Sequence, residues 1–199
     1  MALFELNLLH TVEFVDIYAQ PHIVISDATH YSDVNPKGAV PALLLDSGEL
    51  LTEVGVILQY LCDLKPGSDL CPEQGTLGRY RVMEWLSYVG SDVHKTMGPL
   101  FNPHMPAAAK DLHRQNLNRR LAYIDQQLID EPYLTGARFT VADAYLFVMM
   151  GWEPYFKFDF SAFANLVEFH RRVSGRPSFA RLLERNRPAM EGLKLPDFR

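Results

Sequence analysis

Hydrophobic and polar positions change their period once along the chain. Residues 11–19 (TVEFVDIYA) alternate and are rich in β-branched and aromatic side chains, while residues 40–46 (VPALLLD) form a short continuous apolar run; both predict strands. LDSGELL then predicts a hairpin turn at Asp46-Ser47-Gly48 and a second short strand. From Thr52 the period becomes helical, with Val54, Ile57, Leu58 and Leu61 on one face. KPGSDLCPEQG, residues 65–75, interrupts the pattern with two prolines and two glycines, a linker signature.

Beyond the linker every periodic segment is helical. Leu77, Tyr80, Met83, Leu86, Val89, Val93, Met97 and Leu100 predict one long amphipathic helix from about Thr76, and Leu117, Leu121, Ile124 and Leu128 predict the next. FTVADAYLF carries a helix start: Thr140 as N-cap, Asp143 three residues on to reach back, and Phe139 as a hydrophobic staple. Two further helices are expected near residues 162–173 and 178–184. The pattern therefore predicts an α+β, mostly α chain, with a small α/β domain at residues 1–65, a linker at 66–75 and an all-helical domain at 76–199.

Composition narrows the partners. Across 199 residues, 48% hydrophobic and 22% charged content is ordinary for a soluble globular protein. A formal net charge of -5 argues against nucleic acid and anionic membranes, which need clustered Lys and Arg. No apolar stretch is long enough to span a bilayer, and MALFELNLLH, with Glu5 inside its apolar run and no basic leader, is a poor secretory signal. The spacing of Cys62 and Cys71 fits neither a CxxC motif nor a zinc site. The expectation is a cytoplasmic protein with two reduced packing thiols and no metal.

Candidate chemistry gathers in NPKGAVPALLLDSGELLTE, residues 35–53. Pro41 stands where a strand begins, and a cis Val40-Pro41 bond would turn the Val40 backbone outward to pair with an extended ligand; an ordinary trans proline is the commoner alternative. Glu53 stands at the entry to the next helix, whose free N–H groups suit a carboxylate while the Glu suits an ammonium. Thr52 and Glu53 could equally serve only to cap their own helix. The residues alone leave both readings open.

That stretch, together with ILQYLCDLKPG, RYRVMEWLSYVGSDVHKTMGPLFNP and FTVADAYLF, closely resembles the bacterial beta-class glutathione transferases in order and spacing. The resemblance implies a thioredoxin-like domain carrying a cis-proline, a helical domain behind it, and two subunits paired as a homodimer. It implies glutathione as substrate, with Val40 and Pro41 beside its cysteinyl part, Glu53 on its γ-glutamyl group, and His94 and Lys95 bordering the cleft. Lys37 belongs to the same NPKG signature, and Thr140 and Asp143 match the family's structural cap. Val54, where a small residue is common, would crowd the ligand, and Ala39 removes a polar contact.

Part of the family pattern is missing. Members carry a cysteine and a nearby serine in a Pro-Gly-rich loop after the first strand, and no such stretch occurs here. Only 34 residues precede Asn35, short for a strand, a crossover helix, a parallel strand and the segment leading to NPKG. Two arrangements fit. In one, MALFELNLLH is the family's first helix and VEFVDIYA slides beside VPALLLD; in the other, Ala2 to Leu9 is a strand in an antiparallel hairpin. The cost of unpaired backbone in an open sheet favours the hairpin or another extended refold. An unperturbed thiol titrates near 8.5, so a transferase must stabilise the sulfur anion; His94 and Lys95 are the remaining cation sources. Trp152, Tyr155 and Phe156 are either core or the wall of a pocket for a small apolar electrophile, and His104, His113, His170, Arg171 and Arg172 read as surface. The functional expectation is a glutathione transferase with a rebuilt sulfur site; the alternative is a catalytically impaired binding, regulatory or assembly protein of the same fold.

Overall fold

The computed structural model of the chain describes residues 1–156 and 158–192. It opens with a single helical turn, α1 (Ala2–Glu5), then a two-residue antiparallel pair, β1 (Val15–Asp16) and β2 (Ile23–Val24), and a second helical turn, α2 (Tyr31–Val34). A hairpin follows, β3 (Ala42–Leu44) and β4 (Leu50–Thr52), leading into α3 (Val54–Asp63). The hairpin register places Ala42 opposite Thr52 and Leu44 opposite Leu50. Its turn closes through a Gly48 N–H bond to the Leu45 carbonyl, with Gly48 at φ +87°, which glycine adopts without steric cost.

Of the two arrangements expected for the first 34 residues, the strand hairpin is overturned, and of the other only the helix in MALFELNLLH is found. Ala2 to Leu9 forms no strand: Ala2 and Leu6 lie four apart and are both buried, a helical spacing hidden inside an apparent alternation because Leu6 belongs to both patterns. Nor does residues 11–19 join the β3–β4 hairpin. Only Val15 and Asp16 of that run are extended, and they pair with Ile23 and Val24 in a separate sheet. No βαβ crossover occurs within residues 1–34.

The second half is a helical bundle: α4 (Leu77–Tyr88), a π-helical turn (Val89–His94), α5 (Lys95–Met97), a 3-10 turn (Gly98–Phe101), α6 (Ala107–Gln127), α7 (Val141–Met150), α8 (Glu153–Phe156), α9 (Ala164–Ser174) and α10 (Pro177–Gly192). Val82, Val89, Val93, Met97, Leu117, Leu121, Ile124, Val141, Leu146, Leu166, Phe169 and Val173 are wholly buried. α7 is apolar on nearly every side and sits in the middle of the bundle, as a helix without a polar face must. The expected long helix is real but broken, and its buried face is displaced at the start: Leu77, Tyr80 and Met83 are exposed while Arg79, Val82 and Trp85 turn inward. From Leu86 to Leu100 the expected stripe holds.

The start of α7 is held by a capping box. Asp143 Oδ2 accepts from the Thr140 N–H (2.7 Å) and hydroxyl (2.8 Å), and Oδ1 accepts from the Leu134 N–H at 2.8 Å. Two clasps join the halves. Arg79 on α4, itself buried, reaches Asp63 at 3.0 Å, and Arg176 grips Glu5 through two bonds of 2.6 and 2.9 Å while the Ser178 hydroxyl donates to the same carboxylate. No helix among the described residues is long and apolar enough to cross a membrane.

Candidate functional site

The loop before β3 is built by Asn35, whose side chain is buried in an otherwise polar turn. Its Nδ2 donates to the Ala39 carbonyl at 2.7 Å, its Oδ1 accepts from the Lys37 N–H at 3.1 Å, and its own carbonyl accepts from the Gly38 N–H. The Tyr31 hydroxyl donates to the same Ala39 carbonyl at 3.1 Å. These bonds fix the chain immediately ahead of Val40, whose side chain is exposed and whose bond to Pro41 is cis.

Across the hairpin, Glu53 has φ +71° and ψ +117°, a conformation that side-chain-bearing residues rarely adopt. Its carboxylate makes no cap bond to α3. It is turned outward instead, where Lys37 Nζ lies 3.1 Å from Oε1 and 2.9 Å from the Thr52 hydroxyl. Side-chain capping of α3 is therefore not what positions the Glu53 carboxylate. The pair is exposed and contributes little to stability; what it shows is a carboxylate presented to take a cation beside an uncapped helix N-terminus.

The opposite wall comes from the π-helical turn and α7. The wide turn ends at His94, whose Nδ1 shares a 2.7 Å hydrogen bond with the Tyr145 hydroxyl. π-turns recur at functional sites because the extra residue re-aims the side chains that follow it. Gly90 lies in the same turn, and a side chain there would begin 3.6 Å from the Tyr145 oxygen and cover it. Burial lowers the His94 pKa, which favours the neutral ring over the cation that the sequence suggests. Burial first, and then the negative charge of Glu53, push the Tyr145 hydroxyl up to about 12 and keep it a proton donor.

These walls enclose one cleft of about 370 Å³. Lys37, Val40, Pro41, Glu53, Val54, His94 and Lys95, all predicted site residues, line it together with Asn35, Thr52, Gly90 and Tyr145. Val54 also packs against the core. Thr140 and Asp143 stay apart in the capping box. Beside His94, Trp152 meets the imidazole edge-on with centroids 4.8 Å apart and Phe101 at 5.2 Å, and Tyr155 lies 6.3 Å from Phe101, giving an aromatic wall. The Phe156 side chain lies outside the described residues. Of the expected surface groups, His104 is exposed, but His113 is half-buried and His170 stacks on Phe147 at 4.8 Å.

Sequence reasoning missed Tyr145 and Asn35. Tyr145 is the one hydroxyl-bearing aromatic in the apolar VADAYLF helix, and Asn-Pro is a turn signal; both were legible as oddities but not as partners. Among the described residues, no group of three or more His, Cys, Asp or Glu is placed to hold a metal.

A cis-proline loop and an outward-turned acid facing a helical bundle define a thioredoxin-like unit joined to a glutathione-transferase-type helical domain. Comparison with known proteins agrees. The profile of the glutathione S-transferase N-terminal domain matches residues 1–64, and that of its C-terminal domain matches residues 88–177. The chain is 39% identical over 170 residues to glutathione S-transferase GstA of Escherichia coli O157:H7, covering 85% of this chain and 82% of that one. Its fold superposes on a beta-class glutathione S-transferase of Sphingomonas chungbukensis with a TM-score of 0.86 at 40% identity, covering 92% and 90% of the two chains. A sphingomonad glutathione S-transferase complexed with glutathione gives a TM-score of 0.86 at 37% identity, with the same coverage of 92% and 90%. The chain belongs to the glutathione S-transferase family.

Proposed function

We propose that the cleft binds glutathione and conjugates it, through its sulfur, to a small apolar electrophile. The observation that carries this reading is that Val40, Glu53, His94 and Tyr145, from separate segments of the chain, line a single cleft. The exposed Val40 backbone pairs with the cysteinyl unit, as an extended peptide pairs with a strand edge. Glu53, which already takes the Lys37 ammonium, takes the γ-glutamyl ammonium, and the uncapped N-terminus of α3 takes the adjoining carboxylate. The sphingomonad relative complexed with glutathione supports the choice of ligand.

The thiol then lies toward His94, Lys95 and Tyr145. The neutral imidazole is a base for the thiol proton, the Tyr145 hydroxyl is a donor to the resulting sulfur anion, and the Lys95 ammonium adds positive charge at the cleft. The thiolate attacks the electrophilic carbon: the S–C bond forms, the leaving group departs with its electron pair, and the proton remains with His94 or passes to water. Trp152, Phe101 and Tyr155 make the apolar wall on which the electrophile rests. Cys62 and Cys71 take no part, since they line a different cavity.

Conjugation of glutathione to a chlorinated dinitrobenzene tests these roles. Tyr145→Phe and His94→Ala are expected to lower kcat on the order of tenfold to a hundredfold with little change in the KM for glutathione. Turnover unaffected by both substitutions would refute the sulfur site, and glutathione binding without any turnover would instead favour the catalytically impaired binding protein. We also assign the exposed Leu77, Tyr80 and Met83 of α4 to contact with a second copy of the chain. Sedimentation should show a dimer that Met83→Glu converts to monomer; a monomeric wild type would remove that assignment.

A further inference from the structure

Away from the cleft, the two cysteines of the chain meet. Cys62 lies in the last turn of α3 and Cys71 in the loop that leads to α4; both are free and buried, and both border the same cavity. They border a cavity of about 360 Å³ whose wall also carries Lys65 and Arg79. Arg79 is held there by Asp63 at 3.0 Å and by the Gln59 carbonyl at 3.4 Å, so an ion pair borders the thiols, its guanidinium favouring a thiolate and its carboxylate opposing one. Two neighbouring thiols, a guanidinium beside them and a cavity that both border are the parts of a dithiol that oxidises as a pair.

We propose that Cys62 and Cys71 form an oxidative modification site, closing to an intrachain disulfide on reaction with a hydroperoxide. Cys71 is the attacking sulfur. The Cys62 thiol donates its hydrogen bond to it and Arg79 adds positive charge, which lowers its pKa, while the same contact and burial raise that of Cys62. The Cys71 thiolate attacks one peroxide oxygen: an S–O bond forms, the O–O bond breaks, and the alkoxide or hydroxide leaves and is protonated. The Cys71 sulfenic acid is then displaced by Cys62, forming the S–S bond and releasing water. In sum, two thiols and one hydroperoxide give a disulfide, an alcohol or water, and a further water; the protein is oxidised by two electrons and the peroxide reduced by two.

The disulfide would tie the end of α3 to the loop whose Leu70 carbonyl accepts from the Val141 N–H at the start of α7. It would thus fasten the α/β unit to the bundle at a point remote from Glu53. Glutathione binding and the cysteine pair are independent, so either can stand without the other.

Intact-mass measurement and peptide mapping of the purified full chain test this. Stoichiometric hydrogen peroxide should remove two hydrogen masses, reversibly with dithiothreitol, and yield a crosslinked peptide holding Cys62 and Cys71. With Cys62→Ser, which keeps a hydrogen-bond donor beside Cys71, the reaction should stop at a Cys71 sulfenic acid trapped by dimedone. Retention of both alkylatable thiols in the unfolded, peroxide-treated wild type would overturn the proposal. So would a disulfide formed only between chains, or preferential dimedone labelling of Cys62 in Cys71→Ser over Cys71 in Cys62→Ser.

Discussion

Glu53 shows how a single residue can serve the site at a cost to the fold. A positive φ at a residue bearing a side chain costs on the order of 1–3 kcal/mol, and nothing in its exposed pair with Lys37 returns that much. The strain turns the carboxylate away from its own helix and into the cleft. Glu53→Gly should therefore raise the free energy of unfolding by about 1 kcal/mol in urea denaturation while weakening glutathione binding roughly tenfold or more. A loss of stability in that variant would show that the backbone there is unstrained. At this scale the sequence was a good guide to which residues share the cleft and a poorer one to the surroundings that set their charge. His94 sits where the NPKG and HK motifs imply, yet burial favours its neutral ring, and burial depends on Trp152 and Tyr145, more than fifty positions further on.

Among the elements, α7 shows the strongest local coding. Thr140, Asp143 and Phe139 announce its start in sequence, and the capping box forms as expected because all its partners lie within a few residues. The Asp143 carboxyl is buried, and desolvation raises it from 3.8 to about 6 despite the bonds from Leu134 and Thr140. The folded protein then binds this proton more tightly than the unfolded chain. The stabilisation is fully present below pH 4 and is lost as pH rises through about 6; a shift of this size is worth about 3 kcal/mol. Asp143→Asn should be less stable than wild type throughout, by about 1–2 kcal/mol at pH 7, since its amide faces N–H donors. The gap should widen below pH 5, and a pH-independent gap in denaturant titrations would contradict the assignment. Elements that rely on distant partners were harder to read. α1 stayed open between helix and strand because a single turn offers only Ala2 and Leu6 as signal, and Glu5 at its end is held by Arg176 in the turn before α10. β1 shrank to two residues because its partner is a short segment bounded by turns, not the β3–β4 hairpin. The displaced face of α4 has the same origin: Leu77, Tyr80 and Met83 fit a helical stripe as well as Val82 and Trp85 do, and only packing chooses between them.

At the scale of the whole molecule, the α/β unit and the bundle are held together away from the cleft. Arg79 pairs with Asp63, and Glu5 takes Arg176 and Ser178. Burial alone would raise the Glu5 pKa, but the bonds from Arg176 and Ser178 and the Arg176 charge outweigh it, so the net shift is downward. This contribution has the opposite pH sense to that of Asp143: it is present above the ordinary carboxyl range and is lost as pH falls through the lowered value. Glu5→Gln should cost about 1–2 kcal/mol at pH 7 and flatten the acid limb of the stability curve. An unchanged acid limb would place the clasp outside the folding equilibrium.

The central claim is that Val40 and Glu53 form the binding half of a glutathione site, and calorimetric titration of the full chain with reduced glutathione tests it most directly. The wild type should bind one glutathione per chain with saturation below millimolar concentrations, and Glu53→Gln should weaken binding roughly tenfold or more. No heat of binding at millimolar glutathione, or equal affinity in Glu53→Gln, would contradict it.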